Sequence, residues 1–185
     1  MPEETMWDTF FDPPEILRKL NIDSSSKTAV DIGCGYGTFL IPASRLASGN
    51  VIGIDIDPRM ISLCQAKMEA QGITNVILIC GDMVDNKTVE KLRGISDAID
   101  YISLFNILHC ENPGPLLQLA HSLLEEGGLL AVIHWITGNT PRGPSFEIRP
   151  TAKMIIEWAA EAGFKLVKET DLKPYHFGIL FRKSG

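Results

Sequence analysis

Two kinds of apolar patterning alternate along this chain. Short, nearly continuous β-prone runs recur at 27–32, 51–55, 76–80, 98–104 and 129–134. Runs of that length and composition are read as strands buried on both faces. Between them lie segments whose apolar positions repeat at helical spacing: 39–47, with Pro42 near its first turn, 58–70 with Gly72 as its stop, 87–92, and 115–124 halted by Gly127-Gly128. Asp12-Pro13-Pro14 reads as an N-cap and helix-starting prolines, opening a lead-in helix to about Leu20. After a Gly- and Pro-rich loop at 137–150, one more helix is expected over 151–162, ending at Gly163. The last two strands, Phe164 to Glu169 and Tyr175 to Arg182, are joined by too few residues for a parallel crossover and must pair antiparallel.

The pattern predicts an α/β fold. Its sheet is Rossmann-like and doubly wound, mostly parallel with a C-terminal antiparallel hairpin, and has helices on both faces. A chain of 185 residues is read as a single domain, with residues 1–26 as a helical lead-in and possible lid and 137–150 as a substrate loop. Hydrophobic residues make up 45%, charged residues 22%, and the net charge is −6 with no basic block, which argues against nucleic acid or an anionic membrane as partner. The opening residues have neither a basic n-region nor an apolar h-region, and no apolar run reaches spanning length, so a cytoplasmic protein is expected. The cysteines (Cys34, Cys64, Cys80, Cys110) lack zinc-type spacing and are expected as free thiols, with no metal site.

The candidate chemistry gathers at the strand ends. After Asp31 the chain runs Ile-Gly33-Cys-Gly35-Tyr-Gly37, a glycine pattern that lets a backbone turn sharply off a strand and approach a ligand closely. The spacing is G-x-G-x-G, without the Arg or Lys a pyrophosphate would want. Strand two ends in Asp55 and Asp57, and strand three is followed by Asp82. Carboxylates converging on one crevice repel phosphate and suit a cationic ligand rich in hydroxyl and amino donors. Asp55 follows the glycines by about twenty residues, where a carboxylate grips ribose hydroxyls. S-adenosylmethionine meets that description: a sulfonium, an α-amino group, a ribose diol and an adenine amine, with no phosphate. Asp57, ahead of Pro58, serves equally as a helix N-cap.

Val-Asp-Ile-Gly-Cys-Gly-Tyr-Gly, Gly-Ile-Asp-Ile-Asp, Gly-Asp-Met, Ile-Asp-Tyr-Ile-Ser-Leu-Phe-Asn-Ile-Leu-His and Leu-Leu-Glu-Glu-Gly-Gly-Leu-Leu occur in that order. Together they resemble the ordered motifs of class I S-adenosylmethionine-dependent methyltransferases, nearest in look to the ubiquinone/menaquinone-biosynthesis-like small-molecule group. The resemblance runs from about Thr28 to the end. It implies that Gly33, Gly35 and Gly37 pack on the cofactor, that Asp31 lies near its methionine amino group and that Asp55 holds the ribose. It also implies that Asp82 accepts from the adenine amine beside the Met83 backbone, that Ile56 covers an adenine face and that the Phe105 carbonyl meets the amino group.

Methyl transfer from a sulfonium is an in-line displacement in which positioning supplies much of the acceleration, and a base is needed only if the acceptor must lose a proton. The candidates for such a group are His109, which matches a position often His in the resembled group, together with His134, Tyr175 and His176. Arg142 and Arg149, in the long loop, are candidates for fixing an anion on the acceptor. The segment after strand four lacks the Asn/Asp-Pro-Pro-Tyr type used on flipped bases, so a small-molecule acceptor is expected. The rival readings are a non-catalytic S-adenosylmethionine-binding scaffold and a nicotinamide-dependent oxidoreductase.

Overall fold

The computed structural model describes residues 12–184. Trp7 and Phe10, expected in a lid, lie outside the described residues. Helix α1 (Pro13–Lys19) starts where Asp12 accepts from the Glu15 N–H, with the prolines in its first turn. The elements that follow are β1 (Thr28–Ile32), α2 (Leu40–Leu46), β2 (Asn50–Asp55), α3 (Pro58–Gln71), β3 (Val76–Cys80), α4 (Asn86–Ile95) and β4 (Ile99–Phe105). The chain then forms α5 (Gly114–Leu123), β5 (Leu124–Trp135), a short 3-10 turn (Phe146–Ile148), α6 (Ala152–Glu161), β6 (Phe164–Leu172) and β7 (His176–Lys183).

The sheet order is β3-β2-β1-β4-β5-β7-β6. Strands β1 to β5 pair in parallel, while β7 runs antiparallel between β5 and β6. The expected hairpin is therefore present, with its second strand as the inner one. The chain moves outward from β1 to β3, then crosses back to place β4 on the other side of β1. That reversal leaves a crevice at the carboxyl ends of β1 and β4, where open α/β sheets bind ligands.

Alternation along β4 shows how one strand serves two layers. Ile102 and Leu104 join a core with Leu92, Leu117 and Ile155 under α4, α5 and α6. Tyr101 and Phe105 join the opposite core with Leu17, Leu40 and Cys64 under α1, α2 and α3. Fully burying each such side chain contributes roughly 1.5–3 kcal/mol. Tyr101 also donates its hydroxyl to the Leu20 carbonyl (3.1 Å), tying the lead-in to the sheet. Asp100 accepts from the Lys27 and Thr28 N–H groups (2.6 and 3.2 Å), fastening the start of β1.

Two boundaries differ from expectation. Helix α4 extends one residue before and three beyond the span that the apolar pattern suggested, and Asp85 caps its start, accepting from the Lys87 N–H (3.0 Å). Gly127-Gly128 is not a helix stop: α5 ends at Leu123, and Leu124 already pairs with Ile99. The next parallel partners are Tyr101 and Leu129, so the glycines sit in a bulge inside β5. Among the described residues, no helix is long and apolar enough to cross a membrane.

Candidate active site

Where β1 ends, the N–H groups of Gly33 and Cys34 both donate to the Ile54 carbonyl (2.8 and 3.0 Å), which turns the chain across the tip of β2. Gly33 has a φ of +77°, and a Cβ there would lie 2.9 Å from Ile107. The turn therefore needs glycine for conformation and for space. Gly35 donates its N–H to Asp55 Oδ2 (2.8 Å), and Asp55 Oδ1 accepts from the Asp57 N–H (2.9 Å). Asp55 thus pins the glycine loop from below.

Asp31 lies one residue from the end of β1, only 6% exposed, with its carboxylate accepting from the Ser103 hydroxyl (2.7 Å). Burial pushes its pKa up to about 6; the Ser103 hydrogen bond opposes the rise and the nearby Asp55 charge adds to it. No Lys or Arg pairs with it among the described residues. A desolvated carboxylate without a counter-ion is a site for a cation.

A cavity of about 530 Å³ starts at Asp31 and the glycine loop and extends past Phe105 and Asn106 to His109, Trp135 and Arg142. Its size is that of a small-molecule site. Asn106 was not singled out from the sequence. It has a φ of +58°, and its Oδ1 is buried without a hydrogen-bond partner among the described residues. Strain and an orphaned acceptor together mark a wall built for a ligand. The signal was available: Asn directly after a strand is, apart from Gly, the residue most at home at positive φ. Trp135 and Gly143 also line the cavity and were missed, because the return of loop 137–150 over β5 is a tertiary event.

The expected cofactor residues divide into two groups. Asp31, Gly33, Gly35 and Phe105 line the cavity. Asp55, Ile56, Asp82 and Met83 lie beyond it, at and after the ends of β2 and β3. There Ile56 is 66% exposed, Met83 is buried, and Asp82 accepts from the Val84 N–H (3.0 Å). At Gly37 a Cβ would come 3.0 Å from Cys64 Sγ, so this glycine also makes room for α3. Asp57 is the N-cap of α3 and ion-pairs with Arg59. Cys34 and Cys64 are buried beneath the loop and hydrogen-bonded to each other, which together with burial raises the Cys34 pKa. Cys64 also donates to the Gly35 carbonyl (3.2 Å). Cys80 and Cys110 are exposed, and all four are free thiols.

On the acceptor side, His109 lines the cavity with its ring edge-on to His134 (centroids 5.6 Å). Its Nδ1 is buried without a partner among the described residues, and burial lowers its pKa. His134 is fully buried, and burial brings its pKa down to about 4. Three expectations are corrected. His176 pairs in register with Trp135 and packs on its ring (centroids 4.0 Å), 1% exposed, so it does not reach the cavity. Burial, with His134 and Arg149 nearby, takes its pKa down to about 3. Tyr175 is outside the cavity lining, and its carbonyl accepts from the Ile136 N–H (2.9 Å). Arg149 is not an open anion site: it is 7% exposed and donates to the carbonyls of Pro144 (2.7 Å), Ile136 (3.0 Å) and Arg142 (3.1 Å). Its guanidinium also lies over the rings of Phe146 and Trp135. It staples the loop. Arg142, whose side chain has no hydrogen bond or ion pair among the described residues, is the arginine that lines the cavity.

The residues fit S-adenosylmethionine. The uncompensated Asp31 suits its ammonium, the strained glycine turn admits close approach, and the turn itself contributes no Lys or Arg to hold a phosphate. Comparison with known proteins agrees. The model of the methyltransferase domain family matches residues 23–161. A ribosomal protein L11 methyltransferase of Aeromonas hydrophila is 33% identical over 153 residues, covering 78% of this chain and 48% of that protein. The chain spans about half the length of such curated relatives, and those named are not quinone-biosynthesis enzymes. A SAM-dependent methyltransferase from Aquifex aeolicus shares the fold with a TM-score of 0.82 at 20% identity, over 97% of this chain and 93% of that one. So does a putative type 11 methyltransferase from Sulfolobus solfataricus, with a TM-score of 0.74 at 24% identity, over 95% and 94%. By sequence model, fold and crevice chemistry, the chain belongs to the methyltransferase domain family, in the class I S-adenosylmethionine-dependent group.

Proposed function

We propose that this chain transfers a methyl group from S-adenosylmethionine to a small-molecule acceptor seated between His109, Trp135 and Arg142. The observation that carries this reading is the single cavity running from Asp31 to those residues, of a size for small ligands. When bound, S-adenosylmethionine supplies an electrophilic methyl on a sulfonium and a neutral thioether leaving group. In this reading Asp31 holds the methionine ammonium, with the Phe105 carbonyl and Asn106 Oδ1 as further acceptors at that end. Gly33 and Gly35 bring backbone against the ligand. Asp55 takes the ribose hydroxyls on lone pairs left by its two backbone bonds, and Asp82, Met83 and Ile56 frame the adenine.

The walls at the other end exclude water and align the acceptor, the contribution such a displacement needs most. His109, with its pKa lowered and Nδ1 buried, is neutral near pH 7. Its other nitrogen is the one able to take a proton from an acceptor that must lose one. Calorimetry with S-adenosylmethionine and S-adenosylhomocysteine, followed by labelled methyl transfer across a small-molecule panel, tests the reading. We expect binding of both nucleosides and label on a small molecule, with His109→Ala lowering turnover more than nucleoside affinity. Tight binding without transfer to any acceptor would make the chain a binding scaffold.

A second reading, a protein acceptor, is favoured by the name of the curated relatives. Adding ribosomal protein L11 to the panel separates the two, since label on that protein and on no small molecule would select it.

A further inference from the structure

The cavity is electrically polarised, and each end lacks the charge that would balance it. At one end stands Asp31, buried and without a cationic partner among the described residues. At the other, loop 137–150 presents two guanidinium groups and no carboxylate paired with either among the described residues. Arg142 lines the cavity with its side chain unengaged. Arg149 is 7% exposed, fixed by three backbone carbonyls and two aromatic rings. Carbonyl dipoles solvate that charge without cancelling it. Its field reaches His134 and His176, where it helps to lower the pKa of each imidazole. A cation kept in a region of low dielectric with no counter-ion is a standing attraction for an anion. Trp135 stands at the cavity wall under the Arg149 guanidinium and against the His176 ring, only 2% exposed. Gly143, at a φ of +115°, fits there only because it lacks a side chain: a Cβ would come 2.9 Å from both Arg149 Nη2 and the Trp135 ring.

We propose that the methyl acceptor is a small anion, a carboxylate or an acidic phenol. Its charge is read by Arg142, which Arg149 holds in place through the loop backbone. This rests on the proposed methyl transfer and adds the acceptor class to it. Such an acceptor complements both ends at once, with the cation of the donor toward Asp31 and the anion of the acceptor toward Arg142. An amine acceptor would arrive as a cation at the end already carrying two.

The test uses the whole chain with S-adenosylhomocysteine present at saturation, so that no turnover occurs. Nucleoside binding is established first by calorimetry; its absence would count against the methyltransferase reading and not against charge selection. A set of small carboxylates, aliphatic and aromatic, is then titrated alongside the matching carboxamides and amines. The carboxylates are expected to bind about ten-fold or more tightly than their amides, as a charge-assisted contact implies, and to weaken as salt rises. Arg142→Met should abolish that preference and Arg142→Lys restore part of it, with nucleoside affinity unchanged in both. Arg149→Lys, which keeps the charge but cannot span three carbonyls, should reduce the preference and expose loop 137–150 to proteolysis. Equal or tighter binding of the neutral or cationic probes, or no binding by any carboxylate, would overturn the proposal. So would an Arg142→Met variant that loses nucleoside affinity while keeping the preference, since Arg142 would then be reading the carboxylate of the cofactor.

Discussion

Asp31 lies in the second-last position of a parallel strand, desolvated, with a serine hydroxyl as its hydrogen-bond partner. Its folded pKa of about 6 stands above the ordinary 3.8, so the folded protein holds that proton more tightly than the unfolded chain does. Ionising it therefore lowers the stability of the ligand-free protein as pH rises from about 4 to about 6, and a bound ammonium offsets the loss. Affinity for S-adenosylmethionine is expected to be greatest at about pH 7–8, where Asp31 is ionised and the amino group still protonated, and to fall as pH drops through about 6. Asp31→Asn should weaken binding about ten-fold or more and remove that pH dependence, both measurable by calorimetry. An unchanged pH profile in the variant would refute the assignment. This residue was legible in the sequence because a carboxylate before a glycine turn has few other uses. His176 and Arg149 were not. Their absence from the cavity lining follows from the β5–β7 register and from a loop folding back on its own carbonyls, and neither is written in local spacing.

At the scale of elements, apolar periodicity located the strands to within about three residues, the start of β5 apart, since each strand of the parallel core is buried and largely apolar. It failed where polar capping outran it, at Asp85 ahead of α4, and where glycines marked a bulge inside β5. Loop 137–150 was recognisable as a long binding-type loop, yet its ordering by one arginine was not. That ordering depends on Gly143. Gly143→Ala adds a Cβ at positive φ between Arg149 and Trp135, costing about 1–3 kcal/mol of local strain. The loop is expected to exchange amide hydrogen faster and to be cleaved by proteases, while far-UV circular dichroism stays unchanged. A variant as protected as the parent would show that the staple is not needed.

For the whole molecule, the sheet buries two imidazoles that cannot hold a proton. His134 and His176 titrate at about 4 and about 3 when folded against 6.5 when free. The unfolded chain binds protons first as pH falls, so their contribution is complete above about pH 6.5 and is lost as pH drops toward 4 and then 3. Asp31 works the other way over part of that range, but it is one group against two. The melting temperature is expected to be flat above about pH 7 and to decline below about pH 6, with His134→Phe shallower in the acid limb. A steepening in that variant would contradict this account. At neutral pH, S-adenosylmethionine and S-adenosylhomocysteine should raise the melting temperature and NADH should not, because the acid-lined crevice repels pyrophosphate. An NADH shift equal to that of the nucleosides would reverse the choice of ligand.

One carboxylate joins these scales. Asp55 grips the amide of Gly35 with one oxygen and the amide of Asp57 with the other, before any ribose arrives. Removing it unties a peptide turn as well as a hydroxyl contact, so Asp55→Ala should depress nucleoside affinity by ten-fold or more. Part of that loss would be disorder in the empty turn, visible as accelerated deuterium uptake at 33–37 without any ligand. In the proposed ribose role, recognition of the sugar and rigidity of the turn would draw on the same carboxylate, so a change at Asp55 alters both together.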